Sequence, residues 1–94
     1  MNKTQMLQAQ EERGRAAQEL LDNPLFKEAF IKIKGDLFNS FNKTELAGDE
    51  ARKDIWTKSQ VLDAFERTFT DIVKHGQNAT LSIAQSDKPL RNVI

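Results

Sequence analysis

The chain of 94 residues contains no cysteine. Disulfide bonds, thiolate chemistry and cysteine-ligated metal sites are therefore excluded. No hydrophobic run approaches the roughly 20 residues that a membrane-spanning helix needs. The polar start, MNKTQMLQAQEERGR, also lacks the apolar segment of a signal peptide. We therefore expect neither a disulfide-stabilised secreted domain nor a membrane protein.

The chain also has no net charge, because 14 lysine and arginine residues balance 14 aspartate and glutamate residues. The balance holds locally, since residues 1–48 and residues 49–94 each carry seven bases and seven acids. Nucleic acids and anionic membranes attract proteins that carry a surplus of positive charge. The composition therefore predicts neither nucleic acid nor membrane as a partner.

Residue types that carry catalysis are scarce. His75 is the single histidine, so a histidine-based metal site or a Ser-His pair has little support. No glycine-rich phosphate-binding loop occurs. We therefore expect a protein that is not an enzyme and that uses no metal and no cofactor.

Residues that break helices are few, with four glycines and two prolines. Long stretches rich in Lys, Glu, Gln, Leu and Ala favour helices. A chain of this length buries only about 60–65% of the surface that it exposes when unfolded, so its core is modest. The sequence predicts one all-α domain over residues 15–85.

A first helix is predicted over residues 4–21. Its front half has little apolar surface, and Gly14 lowers helix stability by about 1 kcal/mol relative to alanine. We therefore expect the polar residues 1–14 to fray and the helix to be firm from about Arg15.

A second helix is predicted over residues 24–41. Asn23 is suited to cap it, and Pro24 fits the first helical position because the missing N–H has no helical partner there. Gly35 lies mid-helix, where it would permit a close helix contact or a bend. Steps of four and three residues give one apolar face: Phe26, Phe30, Ile33, Leu37 and Phe41.

A third helix is predicted over residues 50–75, and a short loop would join it to the second helix as an antiparallel hairpin. Gly76 is suited to end this helix, although residues 77–85 could add one or two turns. Residues 86–94 are predicted to be an extended tail. The core-facing stripe of the third helix is Ile55, Leu62, Phe65, Phe69 and Ile72.

The segment GDEARKDIW, residues 48–56, concentrates acidic and basic side chains. It could be a catalytic carboxylate cluster or the charged first turn of a helix. Asp49 follows Gly48 and is suited to cap the third helix, and Glu50 suits the positive end of the helix dipole. We interpret the segment as the start of a solvent-exposed helix.

Several apolar residues lie off the predicted core stripes, and a two-helix hairpin cannot cover all of them. Trp56 either covers the end of the hairpin core beside the 43–48 loop or is an exposed anchor for a partner, since tryptophan is enriched at interface hot spots. The candidate partner-binding residues are Trp56, Ile31, Val61, Leu90, Val93 and Ile94. Val73 also lies off the stripe.

Two segments carry a resemblance to known proteins: AAQELLDNPLFKEAF (16–30) and DEARKDIWTKSQVLDAFERTFTDIVKHGQ (49–77). They resemble small tailed-bacteriophage proteins encoded among head-assembly and DNA-packaging genes. The similarity covers about half of the chain and supplies no catalytic residues. The residues that carry it are Leu20, Leu21, Pro24, Leu25, Phe26, Ala29, Phe30, Asp49, Arg52, Trp56, Phe69 and Gly76.

The resemblance implies a small helical structural or assembly protein, present in many copies, that binds a larger head, portal or connector component. The expected location is the virion or the host cytoplasm. Two alternatives remain open. One is a small inhibitor or regulator of a host protein, and the other is a helical accessory subunit of DNA packaging.

Overall fold

The computed structural model describes residues 2–46 and 48–86. Three α-helices account for most of these residues: α1 (Lys3–Asp22), α2 (Pro24–Asn42) and α3 (Asp49–Ser86). A single 3₁₀ turn, Lys43–Leu46, follows α2. No strand occurs in the described part of the chain, and the prediction of an all-α fold with a hairpin and an additional N-terminal helix is confirmed.

The chain forms two compact units. The hairpin unit is Leu20–Thr68 and contains α2 with the first part of α3. The terminal unit comprises the described residues of Met1–Glu19 and Phe69–Ile94, which are most of α1 and the last part of α3. Each unit buries its own side chains, so each has its own determinants of stability.

Helix α2 begins at a capped N-terminus. The Asn23 side chain accepts hydrogen bonds from the backbone N–H groups of Leu25 (2.9 Å) and Phe26 (3.2 Å). Pro24 occupies the first helical position, as the sequence predicts. The backbone of Asn23 is extended (φ −65°, ψ 124°), which is the geometry that a residue preceding proline favours. One residue therefore ends α1 and starts α2.

The variant Asn23→Ala is expected to lower the free energy of unfolding of the hairpin unit by about 1 kcal/mol, because two backbone donors lose their acceptor. Urea unfolding followed by Trp56 fluorescence measures this change, since the tryptophan lies in the hairpin unit. Asn39→Ala is the matched control on the exposed surface within α2, where alanine only raises helix propensity. Equal stability of Asn23→Ala and the native chain would contradict the capping role.

Phenylalanines hold α2 against α3. Phe30 is the buried centre, and its ring stacks on Phe65 of α3 with centroids 5.9 Å apart. It also contacts Phe26, one turn earlier, at 4.9 Å. Complete burial of one such ring contributes about 1.5–3 kcal/mol. These rings are therefore the main source of stability in the hairpin unit.

The connection between α2 and α3 is fixed by a buried threonine. The Thr44 hydroxyl donates to the carbonyl of Phe41 (2.6 Å) and accepts from Nε of Arg52 on α3 (3.3 Å). Gly48 then adopts a left-handed backbone (φ 88°) just before Asp49 starts α3. The hydroxyl links both helices to the turn, so α3 leaves the turn along a defined direction.

In the terminal unit, α1 and α3 meet at two glycines. A Cβ built on Gly14 would lie 2.8 Å from the Cα of Gly76, and a Cβ built on Gly76 would lie 2.7 Å from the Cα of Gly14. Ala17 and Ala79, three residues further along each helix, are buried as well. Small side chains allow the two backbones to come this close, and dispersion contacts along them stabilise the pair.

The glycines bear on three predictions about the helices. Helix α1 begins at Lys3, close to the predicted start at residue 4, and Gly14 packs against α3 within it. The predicted fraying of residues 1–14 stays a prediction. Gly76 lies inside α3, which continues to Ser86, so the predicted end at residue 75 is wrong. A Cβ on Gly35 would meet no atom within 4 Å, so Gly35 makes no close helix contact.

An extended tail is predicted for residues 86–94. Its first residue, Ser86, is the last residue of helix α3. Residues 87–94 lie outside the described residues, so their predicted extended form stays a prediction.

Candidate protein-binding surface

A groove runs between α2 and α3 on one side of the hairpin unit. It consists of two clefts of about 510 and 210 Å³ that share Lys34 as a lining residue, and we call them together the hairpin groove. The larger cleft is mostly apolar. Its apolar lining residues are Leu37, Phe38, Phe41, Ile55, Trp56 and Leu62.

An ion pair crosses this groove. Lys34 Nζ of α2 lies 3.1 Å from Oε2 of Glu66 on α3, and both side chains are partly exposed. Lys27 lines the smaller cleft beside Glu66, and Asp63 lines the larger one. Lysines therefore line the α2 edge of the groove, and carboxylates line its α3 edge.

Large apolar side chains of the groove remain in contact with solvent. Ile31 is 71% exposed, Phe38 65% and Trp56 64%. Trp56 therefore lines the groove as a mostly exposed side chain, which favours the interpretation as an anchor for a partner. An exposed tryptophan beside an exposed phenylalanine is typical of an interface core that lacks its partner.

The other side of the hairpin also exposes apolar side chains. At 100° per residue, Val61 lies roughly 140° around α3 from Trp56, and Ile33 lies roughly 140° around α2 from Phe38. Val61 is 64% exposed, and Ile33 and Phe65 are exposed to a lesser degree. The hairpin thus has an apolar groove side and a second apolar side that contains Val61.

The predicted partner-binding residues are therefore only partly brought together. Trp56 and Ile31 both line the hairpin groove, whereas Val61 lies on the second side. Leu90, Val93 and Ile94 lie outside the described residues. Phe38 belongs to the groove and is missing from the predicted set. Its signal was a second stripe beside the core stripe, in steps of four, three and four residues: Lys27, Ile31, Lys34 and Phe38.

The charged residues around GDEARKDIW pair along the surface of α3. Lys58 Nζ lies 2.9 Å from Asp54, one turn away, and Arg52 lies 4.0 Å from Asp49. Asp49 is the first helical residue of α3, whereas the sequence predicts it as the cap that precedes the helix. Within residues 2–46 and 48–86, no three His, Asp or Glu side chains are grouped to hold a metal ion.

A similar pair lies on the exposed face of α2. Lys32 Nζ lies 2.8 Å from Asp36, and this hydrogen bond, with the negative charge of Asp36, raises the pKa of Lys32 above its ordinary value. Pairs of this kind, four residues apart, are typical of a solvated helix surface.

In the terminal unit, polar side chains line the α1–α3 contact. The Thr80 hydroxyl donates to Glu11 (2.6 Å), and Glu11 pairs with Arg15 (3.1 Å). His75 is exposed and lines a cleft of about 80 Å³ with Gln10, Arg13 and Ile72. The Thr80–Glu11 hydrogen bond therefore joins α1 to α3 beside the Gly14–Gly76 packing.

Comparison of the chain with known protein families, with curated proteins and with solved structures found no match. None of the described helices is long and apolar enough to cross a membrane.

Proposed function

We propose that this chain is a small, non-enzymatic helical structural or assembly protein of a tailed bacteriophage. It binds a larger virion component, of the head, portal or connector, and is present in several copies. It resides in the virion or, before assembly, in the host cytoplasm. The phage setting follows from the resemblance of residues 16–30 and 49–77 to small proteins of the head-assembly region.

The observation that carries the proposal is the exposed apolar surface on two sides of one hairpin. Phe38 and Trp56 are exposed on the groove side, and Val61 is exposed on the second side. Complete burial of such a side chain contributes about 1.5–3 kcal/mol. Several exposed apolar side chains on one surface would together contribute several kcal/mol to binding when a partner protein buries them. Such a surface is typical of a protein that functions by binding other proteins.

The test is affinity purification of the tagged chain from cells that express its source genome, with mass spectrometry of the retained proteins. We expect head, portal or tail proteins with the native chain. Trp56→Glu and Val61→Glu place a charge on the two apolar sides, and at least one of them is expected to lower the captured amount roughly tenfold or more. Gln60→Glu is the matched control, because Gln60 is an exposed polar residue next to Val61.

Equal capture by all four chains would contradict a role for the hairpin surface. Capture of one host protein in a soluble one-to-one complex, with no virion protein, would instead make the chain an inhibitor or regulator. Salt-sensitive retention of DNA would favour the packaging subunit.

A further inference from the structure

We propose that the groove side of the hairpin binds a second copy of this chain, so that two hairpins form an antiparallel four-helix bundle. The inference rests on the proposed function, in which the hairpin binds other proteins. It identifies one of these binding partners as a second copy of the chain. The second apolar side, with Val61, then remains available for a different protein.

The charges that line the groove are complementary to themselves. The α2 edge carries Lys27 and Lys34, and the α3 edge carries Asp63 and Glu66. A second copy carries the same two edges. Its acidic edge lies over the basic edge of the first copy, and its basic edge lies over the acidic edge of the first copy. A chain without net charge also has no overall repulsion from its own copies.

A twofold axis parallel to the helices produces this arrangement. It places α2 of one copy over α3 of the other, and these two helices run in opposite directions because α2 and α3 are antiparallel within one hairpin. Such an interface uses the same surface on both partners, as closed dimers do. Two hairpins related in this way have the layout of an antiparallel four-helix bundle.

The side chains along this contact fit as knobs and holes. Ser59 is a small residue between Trp56 and Asp63 on the groove side of α3. Within one hairpin, the Lys34–Glu66 pair places Phe38 level with about residue 62, and the Phe30–Phe65 stack places it level with about residue 57. Ser59 lies within this range. Rotation about an axis parallel to the helices does not change the position of a residue along them. Phe38 of each copy therefore lies over the space at Ser59 of the other copy.

The available area agrees with a dimer. The exposed parts of Ile31, Phe38, Phe41 and Trp56 offer roughly 400–500 Å² of apolar surface on each copy. A standard interface buries about 800 Å² on each partner. The charged edges and Ser59 contribute the remaining area as a polar rim, which is the usual composition of an interface.

The first experiment measures the mass of the full-length chain in solution by light scattering at micromolar concentration. We expect twice the 10.7 kDa of one chain. Phe38→Glu is expected to raise the dissociation constant by roughly 100-fold or more, because two charges enter the apolar centre. Val61→Glu, a charge on the second side, is expected to leave the dimer unchanged. Far-UV circular dichroism verifies that each variant is helical.

The second experiment exchanges the charges of the edges. The double variant Lys27→Glu/Lys34→Glu has two acidic edges, and Asp63→Lys/Glu66→Lys has two basic edges. Each is expected to be monomeric alone, because like charges face each other across the axis. A mixture of the two is expected to form a heterodimer, since every acidic edge then meets a basic one.

The absence of cysteine allows a third measurement that leaves the charges intact. Phe38→Cys in one chain and Ser59→Cys in another are expected to cross-link when mixed, in preference to two Ser59→Cys chains.

A monomeric native chain, a dimer that survives Phe38→Glu, or a mixture of charge variants that stays monomeric would each overturn the proposal. If the native chain is a monomer but captures a virion protein, the dimer proposal is wrong and the proposed function is supported. If it is a dimer but captures no protein, the proposed function is wrong and the dimer proposal is supported.

Discussion

Replacing Gly76 with alanine is expected to destabilise the protein, although alanine is the better helix former. The added Cβ would lie 2.7 Å from the Cα of Gly14 and 3.1 Å from the carbonyl oxygen of Gln10. Both neighbours are backbone atoms and cannot rotate away, so α1 and α3 must separate. We expect a loss of about 1–3 kcal/mol from this overpacking, after the gain in helix propensity is included. Gly14→Ala is expected to give a similar loss, because the contact is reciprocal.

The measurement is thermal unfolding followed by far-UV circular dichroism. A loss of this size lowers the midpoint by roughly 5–15 °C in a domain of this length. Gly35→Ala is the matched control, because it makes the same change mid-helix where the Cβ meets no atom within 4 Å. It is expected to raise stability by about 0.5–1 kcal/mol. If Gly76→Ala stabilises the chain as Gly35→Ala does, α1 and α3 are not in backbone contact.

Replacing Phe30 with alanine is expected to have the largest effect on the hairpin unit. Phe30 is buried and contacts Phe26 and Phe65, so its removal loses the burial of the ring and leaves a cavity between the helices. Substitutions of this kind cost about 3–5 kcal/mol. A small domain is stable by only about 5–15 kcal/mol, so the hairpin unit of this variant is expected to be partly unfolded near physiological temperature.

Urea unfolding followed by Trp56 fluorescence measures this loss in the hairpin unit. The matched control is Phe38→Ala, which removes the same ring from an exposed position and is expected to cost less than about 1 kcal/mol at dilutions where dimers dissociate. Equal losses for the two variants would show that Phe30 is not the centre of the hairpin core.

Local sequence rules predict the helices of this protein well. Asn23 and Pro24 carry their signal in adjacent positions, and the periodic spacing of the phenylalanines gives the face of α2 that meets α3. Both are properties of one segment, so neighbouring residues are sufficient to recognise them. The start of α2 and the pairing of α2 with α3 could therefore be predicted without a structure.

The role of each glycine could not be predicted in this way. Gly14, Gly35 and Gly76 each interrupt a helical pattern, and each lowers local helix propensity by the same amount. The three glycines differ in whether the backbone of another helix lies close to them. Gly14 and Gly76 contact each other, whereas a Cβ on Gly35 would meet no atom within 4 Å. That information belongs to the pairing of α1 with the end of α3, which local periodicity does not contain.

The candidate site was predictable to a similar extent. Trp56 and Ile31 are apolar residues beside a core stripe, and this position is visible in the sequence. Phe38 is equally visible as a stripe residue, but its exposure depends on how many helices cover the face of α2. The angle between Val61 and Trp56 on α3 follows from the helical period, but assigning the two residues to opposite sides of the hairpin requires the direction from α3 to α2.

The two helix pairings differ in the length of the loop that each must close. Lys34 and Glu66 are 32 positions apart in sequence, whereas Glu11 and Thr80 are 69 positions apart. Closing a longer loop costs more entropy, and non-local contacts slow folding. In sequence, α1 precedes the hairpin and its partner segment on α3 follows it. When the chain folds, the hairpin unit is therefore expected to close before Gly14 meets Gly76.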